Sequence, residues 1–290
     1  MEELIARARA KINLALDILG KRESDGYHEI STIMQTISLS DELHIKKIYK
    51  PDYLKLVTNI GWLATDERNL AYQAAEYLKT KYGIEEGIFI ELHKVIPASA
   101  GMGGGSADCA AVLKGVRDLF KLPLTDEDLM RLGAKFGADV PFCVMGGTAL
   151  ATGIGEVLRP LPRLPICHIV VIKPPSIVST QEVFSEFDLS KVAKRPDMEK
   201  ILHYFHKQDL DGIAANMANA LESVTEVKLP IISEIKEFLK AKGALGAMMT
   251  GSGPTVFAIF RSRGDAINAA KLAKEQYPDI NEIFLTKPVK

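Results

Sequence analysis

Pro97-Ala-Ser-Ala-Gly-Met-Gly-Gly-Gly-Ser-Ala-Asp108 lies between two runs of different periodicity. Before it, Ile88-Phe-Ile-Glu-Leu-His-Lys-Val-Ile96 is β-branched and partly alternating, the pattern of a strand. After it, Asp108 to Phe120 carries apolar residues at helical spacing. A strand that runs through glycines into a helix makes an anion site. Gly101, Gly103, Gly104 and Gly105 let backbone N–H groups approach a guest without a Cβ in the way, and the helix start adds the positive end of its dipole. The triphosphate of a nucleotide is the natural guest. The Walker pattern is absent, because no Lys-Ser or Lys-Thr pair follows the glycines. The dinucleotide fingerprint also fails, with Ser106 standing at its third glycine. A plain tight turn is the competing reading of the same residues.

Composition frames what such a loop could serve. The chain has 290 residues, 47% of them hydrophobic, enough for two ordinary domains each with its own core. Its 36 basic and 37 acidic residues leave a formal net charge of -1, which offers no field for nucleic acid or an anionic membrane. A small-molecule partner is expected instead. Cys109, Cys143 and Cys167 form neither an even set nor a Cys-x-x-Cys spacing, the usage of a reducing compartment. The first residues lack the build of a signal peptide, and no uninterrupted apolar run reaches membrane-spanning length. A cytoplasmic location is expected.

The fold class reads as α+β in two parts. Strand-like runs cover 11–19 and 32–48, helices cover 69–81 and flank the glycine loop, and a strand pair surrounds Gly153-Ile-Gly155. The proline cluster Pro160-Leu-Pro-Arg-Leu-Pro165 then marks a connection. The seam is placed there, giving domains 1–160 and 161–290. The second part reads as strand 166–172, several helical stretches, strands 246–249 and 255–260, helix 265–276 and a last strand 282–285, an order that suits a small sheet with helices on one face.

Four further segments carry polar groups that a core does not require. Lys11 and Asn13 alternate within an apolar run and so share one face of a strand, either a solvated edge or a functional face. Asp139 is a carboxylate in the apolar setting Phe136-Gly-Ala-Asp-Val-Pro-Phe142, where a buried acid is paired, functional or a turn cap. Asp25-Gly26 signals a turn, and Tyr27-His28 after it offers an aromatic face beside a two-way hydrogen-bonding ring, suited to a planar heterocycle. Thr250-Gly-Ser-Gly-Pro-Thr255 links two strand-like runs, and its Ser252 and backbone amides could hold a phosphate or simply turn a hairpin.

Taken in order, Ala10-Lys11-Ile-Asn13, Pro97 to Ala107 and Thr250-Gly-Ser-Gly-Pro254 resemble the three motifs of the kinases named for galactose, homoserine, mevalonate and phosphomevalonate. The resemblance covers essentially the whole chain. It implies a GHMP kinase fold, an N-terminal domain like ribosomal protein S5 domain 2 and a C-terminal ferredoxin-like domain, with the active site between them. It implies ATP and Mg²⁺. Pro97, Ala98, Ser99, Ala100, Gly101, Met102, Gly103, Gly104, Gly105, Ser106 and Ala107 would wrap the ATP phosphates, with Ser106 nearest the metal, and Asn69 and Lys94 would flank the adenine. Asp139 would be the general base toward an acceptor hydroxyl, and Lys11 its neighbouring cation. Asn13, Tyr27, His28, Thr180, Phe184 and Ser252 would bind the acceptor, Tyr27 stacking a cytosine ring that His28 hydrogen-bonds. The second motif departs from the usual pattern: Ala107 replaces the second of two serines and Met102 stands where Leu is frequent. A sister kinase for a small aliphatic alcohol, such as homoserine or mevalonate, would give Tyr27-His28 nothing planar to hold. A silent nucleotide sensor would have no use for Lys11 and Asp139.

Overall fold

The computed structural model describes residues 2–24 and 26–289; Met1, Asp25 and Lys290 lie outside it, and with Asp25 goes the first residue of the expected Asp-Gly turn. Two strands dominate the first part of the chain, β1 (Glu3–Lys21) and β2 (His28–Ile48), both longer than the sequence pattern marks. They are followed by β3 (Leu54–Thr58), α1 (Leu70–Lys81), β4 (Gly87–His93), α2 (Gly104–Leu119), α3 (Asp126–Gly133), α4 (Val140–Met145), β5 (Thr148–Thr152) and β6 (Val157–Pro160). The second part holds β7 (His168–Lys173), α5 (Thr180–Ser185), α6 (Met198–Lys207), α7 (Leu210–Asn216), β8 (Ala218–Asn219), α8 (Glu222–Lys228), α9 (Ile231–Ala241), β9 (Gly246–Met249), β10 (Val256–Phe260), α10 (Arg263–Gln276) and β11 (Glu282–Thr286). The expected α+β class holds.

Compactness divides the chain into two interleaved units. One comprises Met1–Ala10, Leu39–Ala98 and Gly103–Gly146; the other comprises Lys11–Ser38, Ser99–Met102 and Gly147–Lys290. No single cut separates them, because β1 and β2 are long enough to serve both, and the expected seam at 160/161 falls inside the second unit.

In the first unit the far end of β2 pairs antiparallel with β4, and β3 adds parallel to β4. Apolar alternation supplies one buried face: Leu43, Ile45, Leu56, Ile88, Ile90 and Leu92 meet Ala71, Ala74, Ala75 and Leu78 of α1 and Val112, Leu113 and Val116 of α2 in one core. Asn69 starts α1 by accepting from the Ala71 N–H at 2.9 Å, and Thr125 and Asp128 form a reciprocal capping box at α3.

The second unit holds the near halves of β1 and β2. There β8 pairs parallel with β1, β5 pairs antiparallel with β2, and β6 closes a hairpin with β5. A separate antiparallel sheet runs β11-β7-β10-β9. Numbered by chain order within that sheet, the strands read fourth, first, third, second, with helices between first and second and between third and fourth. This is the split βαβ arrangement of a ferredoxin-like domain, as expected. Its apolar face packs Val170, Ile172, Val256, Ala258 and Phe260 against Ile232, Ile235 and Leu239 of α9 and Ala266, Ala269 and Ala273 of α10.

Asn219, at the end of the two-residue β8, joins the sheet of β1 to the turn after β9. Its Nδ2 donates to the Met249 and Gly251 carbonyls at 2.9 and 2.8 Å, and its Oδ1 accepts the Leu221 N–H at 3.0 Å. All of this is buried. Asn219→Ala strips partners from three buried backbone groups at about 1 kcal/mol or more each, so a urea titration is expected to show about 3 kcal/mol lost.

Candidate active site

Lys11 and Asn13 are not on a solvated edge. They are 4% and 2% exposed, on a strand flanked by neighbours, so the functional-face reading survives and the edge reading does not. A buried ammonium needs partners. The Lys11 Nζ donates to Asn13 Oδ1 at 2.8 Å, Thr250 Oγ1 donates to the same oxygen at 3.2 Å, and Asn13 Nδ2 donates to Thr32 Oγ1 at 2.8 Å. Thr32 passes its own proton to the Ala15 carbonyl at 2.7 Å. The amide of Asn13 is thereby fixed in orientation, and its oxygen holds the ammonium. In the structure Asn13 orients Lys11, a role nearer the cation than the expected contact with an acceptor.

The first and third motifs also meet the crown of the second. Lys11 N–H donates to the Met102 carbonyl at 3.0 Å. Gly101 has φ +70, and a Cβ there would overlap the Thr250 carbonyl oxygen. Gly251 has φ +57, and a Cβ there would lie 2.8 Å from the Gly101 oxygen. These two glycines are required by backbone lying on backbone, which the sequence did not distinguish from phosphate binding. Met102 is buried, so what it offers a ligand comes from its main chain.

Acceptor candidates gather in the same unit. Thr180 Oγ1 and Ser252 Oγ share a hydrogen bond at 2.8 Å. The His28 ring lies 5.4 Å from Phe184 and 6.4 Å, edge-on, from Phe187, which the sequence reading missed. Burial first, and then the Lys21 charge, hold the His28 pKa below its ordinary 6.5. Its imidazole is therefore neutral at pH 7 and can both donate and accept. Tyr27 is 60% exposed. The turn before it is closed by Gly26, at φ +75, whose N–H donates to the Arg22 carbonyl at 2.9 Å.

The first unit carries the rest of the glycine loop. Gly103 starts α2 in the left-handed region at φ +67, and no side chain caps the helix. Gly105 is exposed, and a Cβ on it would meet nothing closer than Leu70 Cδ1 at 3.9 Å. Packing does not require that glycine, whereas a phosphate seated on the α2 start would. Ser106 follows, half-buried, with the Cβ direction of Gly137 3.9 Å from its Oγ. Gly137 leads into Asp139, which occupies the N-cap position of α4 without using its carboxylate as a cap. The turn-cap reading of Asp139 falls. So does the expectation of a deeply buried acid, since Asp139 is only half-buried.

Asn69 and Lys94 are both engaged by the framework. Asn69 caps α1 and donates to the Ala64 carbonyl at 2.7 Å. The Lys94 side chain is 6% exposed and bridges Asp41 at 2.5 Å and Asp108 at 2.8 Å. Burial pushes Asp108 up to about 8, with the Asp41 charge adding to the push and Lys94 opposing it. Burial pulls Lys94 down, and the two carboxylates more than reverse that, so its pKa stands above the ordinary lysine value. Among the described residues no group of three or more His, Cys, Asp and Glu converges as a metal cage.

A model of the GHMP kinase N-terminal domain matches residues 69–147, and one of the GHMP kinase C-terminal domain matches 201–279. A 4-diphosphocytidyl-2-C-methyl-D-erythritol kinase from Caldicellulosiruptor bescii is 48% identical over 280 residues, 97% of this chain and 96% of that one. One from Clostridium botulinum is 48% identical over 98% of this chain and 99% of its own. The chain belongs to the 4-diphosphocytidyl-2-C-methyl-D-erythritol kinase family. A crystal structure of such a kinase superposes with a TM-score of 0.84 at 30% identity, covering 99% of this chain and all of that one. A homoserine kinase from Cytophaga hutchinsonii reaches a TM-score of 0.80 at 20% identity, a likeness of fold alone.

Within a 4-diphosphocytidyl-2-C-methyl-D-erythritol kinase family member, the glycines of the second motif therefore divide into two kinds, which substitution separates. Gly101→Ala combines a left-handed residue, about 1 to 2 kcal/mol, with overpacking of about 1 to 3 kcal/mol, so denaturant titration is expected to show a loss of about 2 to 5 kcal/mol. Gly105→Ala is expected to leave stability unchanged or raise it by up to about 1 kcal/mol. The same substitution is expected to raise the ATP KM in steady-state kinetics, because it adds a methyl group in the first turn of α2.

Proposed function

We infer that the chain is an ATP-dependent kinase that phosphorylates the 2-hydroxyl of 4-diphosphocytidyl-2-C-methyl-D-erythritol, a step of the non-mevalonate route to isoprenoids. The observation that carries this reading is the 48% identity to a kinase of that name along 97% of the chain. The neutral His28 beside two phenylalanines and the open Tyr27 support a planar ring in the acceptor, which homoserine and mevalonate lack. We keep 1–160 as the ATP-binding domain and 161–290 as the C-terminal domain, a division supported by one family match on each side of the seam. Among the described residues no helix is long and apolar enough to cross a membrane, and a cytoplasmic location follows the cysteine usage.

The chemistry is a transfer of the γ-phosphoryl group. The acceptor oxygen bonds to the γ-phosphorus, the bond from that phosphorus to the β-bridging oxygen breaks, and ADP leaves. The hydroxyl proton goes to the Asp139 carboxylate. Such a transfer asks the protein for positioning and charge stabilisation above all. Backbone N–H groups at the α2 start and the Lys11 ammonium, held by Asn13, supply it. When bound, Mg²⁺ would neutralise phosphate charge, and Ser106 would be the hydroxyl that holds it. Asn13, Thr180 and Ser252 serve the acceptor chiefly through the hydrogen bonds they already make, orienting the groups around it.

Phosphorus NMR with Mg²⁺, ATP and each candidate alcohol tests the reading. A new phosphomonoester is expected on the cytidine compound and on neither homoserine nor mevalonate; transfer to one of those alcohols instead would sink it. Asp139→Asn removes the proton acceptor, and turnover is expected to fall about 10²- to 10⁴-fold with ATP affinity nearly unchanged. Near-full turnover would take Asp139 out of the mechanism.

A pH series on the acceptor KM tests His28. The neutral ring, flanked by Phe184, Phe187 and the Lys21 charge, is the form that both donates and accepts. Its pKa lies below 6.5, so KM is expected to be flat above pH 7 and to rise as the pH falls through that pKa. His28→Phe should abolish the rise.

A further inference from the structure

Three ionisable side chains converge beneath the start of α2. They come from β2 (Asp41), from the residue after β4 (Lys94) and from the second turn of α2 (Asp108). Their distances to one another are short, and all three are buried. Nothing in the proposed transfer uses Asp41 or Asp108.

Each group fixes a different part of the glycine loop. Asp41 Oδ1 accepts the N–H groups of Val95 and Ile96 at 2.5 and 2.7 Å, so the segment between β4 and the loop is tied down at two successive residues. Asp108 sits five residues into α2 and ties the helix leading out. Lys94 joins the two carboxylates, and its own backbone is held from both sides: Asn59 Oδ1 accepts its N–H at 2.8 Å, and Asn59 Nδ2 donates to its carbonyl at 3.1 Å. The ammonium then lies 3.2 Å from the point where a Cβ would stand on Gly104, the first residue of α2. It forms the floor under the backbone whose N–H groups face the guest.

We propose that Asp41 and Asp108, acting through Lys94, are positioning residues that hold the entry and exit of the glycine loop in the geometry that receives the triphosphate. The proposal rests on the reading of that loop as the ATP site. The clamp holds the loop's ends from beneath and touches no nucleotide atom. Removing either carboxylate leaves the buried ammonium one partner in place of two, and the ammonium shifts toward the remaining carboxylate or toward water. For Lys94 that movement carries the floor out from under Gly104, whereas the residues read as the cytidine side belong to the other unit.

The test is calorimetric binding of Mg·ATP and, separately, of 4-diphosphocytidyl-2-C-methyl-D-erythritol to the full chain and its variants. Asp108→Ala is expected to raise the ATP Kd about 10-fold, the low end of the roughly 10- to 100-fold lost when an orienting outer partner is removed from a metal site. The acceptor Kd should stay within about twofold. Asp108→Asn, whose amide oxygen still accepts from Lys94, is expected to restore most of the ATP affinity. Should Asp108→Ala fail to fold, Asp41→Asn keeps an acceptor for Val95 and Ile96 while removing the charge opposite Lys94, and it should raise the ATP Kd alone. Variants that lower the melting temperature while leaving the ATP Kd within about twofold would make the cluster a stability element and overturn the proposal, as would equal weakening of both ligands. A wild-type chain that binds ATP but phosphorylates no alcohol would sink the kinase reading while leaving the clamp to be judged by Kd; one that binds no ATP would sink both.

Discussion

Burying a lysine ammonium in the middle of an apolar strand is the constraint that organises the second unit. Lys11 stands among Ala10, Ile12 and Leu14, all fully buried, and a charge there without a partner would be worth several kcal/mol of destabilisation. Asn13 meets the requirement two residues on, because alternation along a strand returns it to the same face. The amide must in turn be held, and Thr32 from β2 and Thr250 from the turn after β9 hold it. One buried charge thus recruits side chains 19 and 237 residues away from Asn13 and fixes where that turn lies. The turn then sets the crown of the glycine loop, since the Thr250 carbonyl and the Gly101 backbone approach too closely for any side chain between them.

Much of this was legible in the sequence wherever a feature was local. The strands 246–249 and 255–260 emerge almost residue for residue, because apolar β-forming runs flank a glycine-rich turn. The small sheet with helices on one face followed from the alternation of strand-like and helix-like runs, the family from three motifs in order, and the ferredoxin-like domain from that resemblance. What stayed hidden was short or non-local. Leu54–Thr58 is a half-buried strand bounded by a polar turn, and Ala218–Asn219 pairs over two residues, too few for any period. Asp41, Lys94 and Asp108 are separated by 53 and 14 residues, so no spacing announces that they meet. Asn13 was visible as an oddity, but its donors and acceptors could be counted only once Thr32 and Thr250 were beside it.

The glycines show why a motif underdetermines its own chemistry. Gly101 and Gly251 are required by packing, Gly103 by the left-handed turn into α2, and Gly105 by neither. A sequence pattern weights all of them equally. Only the last is explained better by something absent from the protein than by something present in it, which makes it the most informative glycine about a ligand and the least informative about the fold.

The same backbone plan reaches a homoserine kinase at 20% identity, so the plan itself cannot choose the acceptor. The phosphate side rests on strand, helix start and buried charge, groups that demand a fixed geometry whichever alcohol is phosphorylated. The groups suited to reading a planar ring lie instead on a turn, where Gly26 reverses the chain before Tyr27, and on the short α5 segment that carries Phe184 toward His28. The turn takes no part in the core packing of α1 and α2 or of the α9 and α10 face, whereas α5 is anchored on the latter by the buried Val183, with Phe184 and Phe187 packed against it. Loop residues can change at little cost in stability, whereas Lys11 and Asn13 cannot change without stranding a buried charge. Acceptor choice in this fold is therefore expected to reside in the segments 22–28 and 180–187 rather than at the buried Lys11 and Asn13.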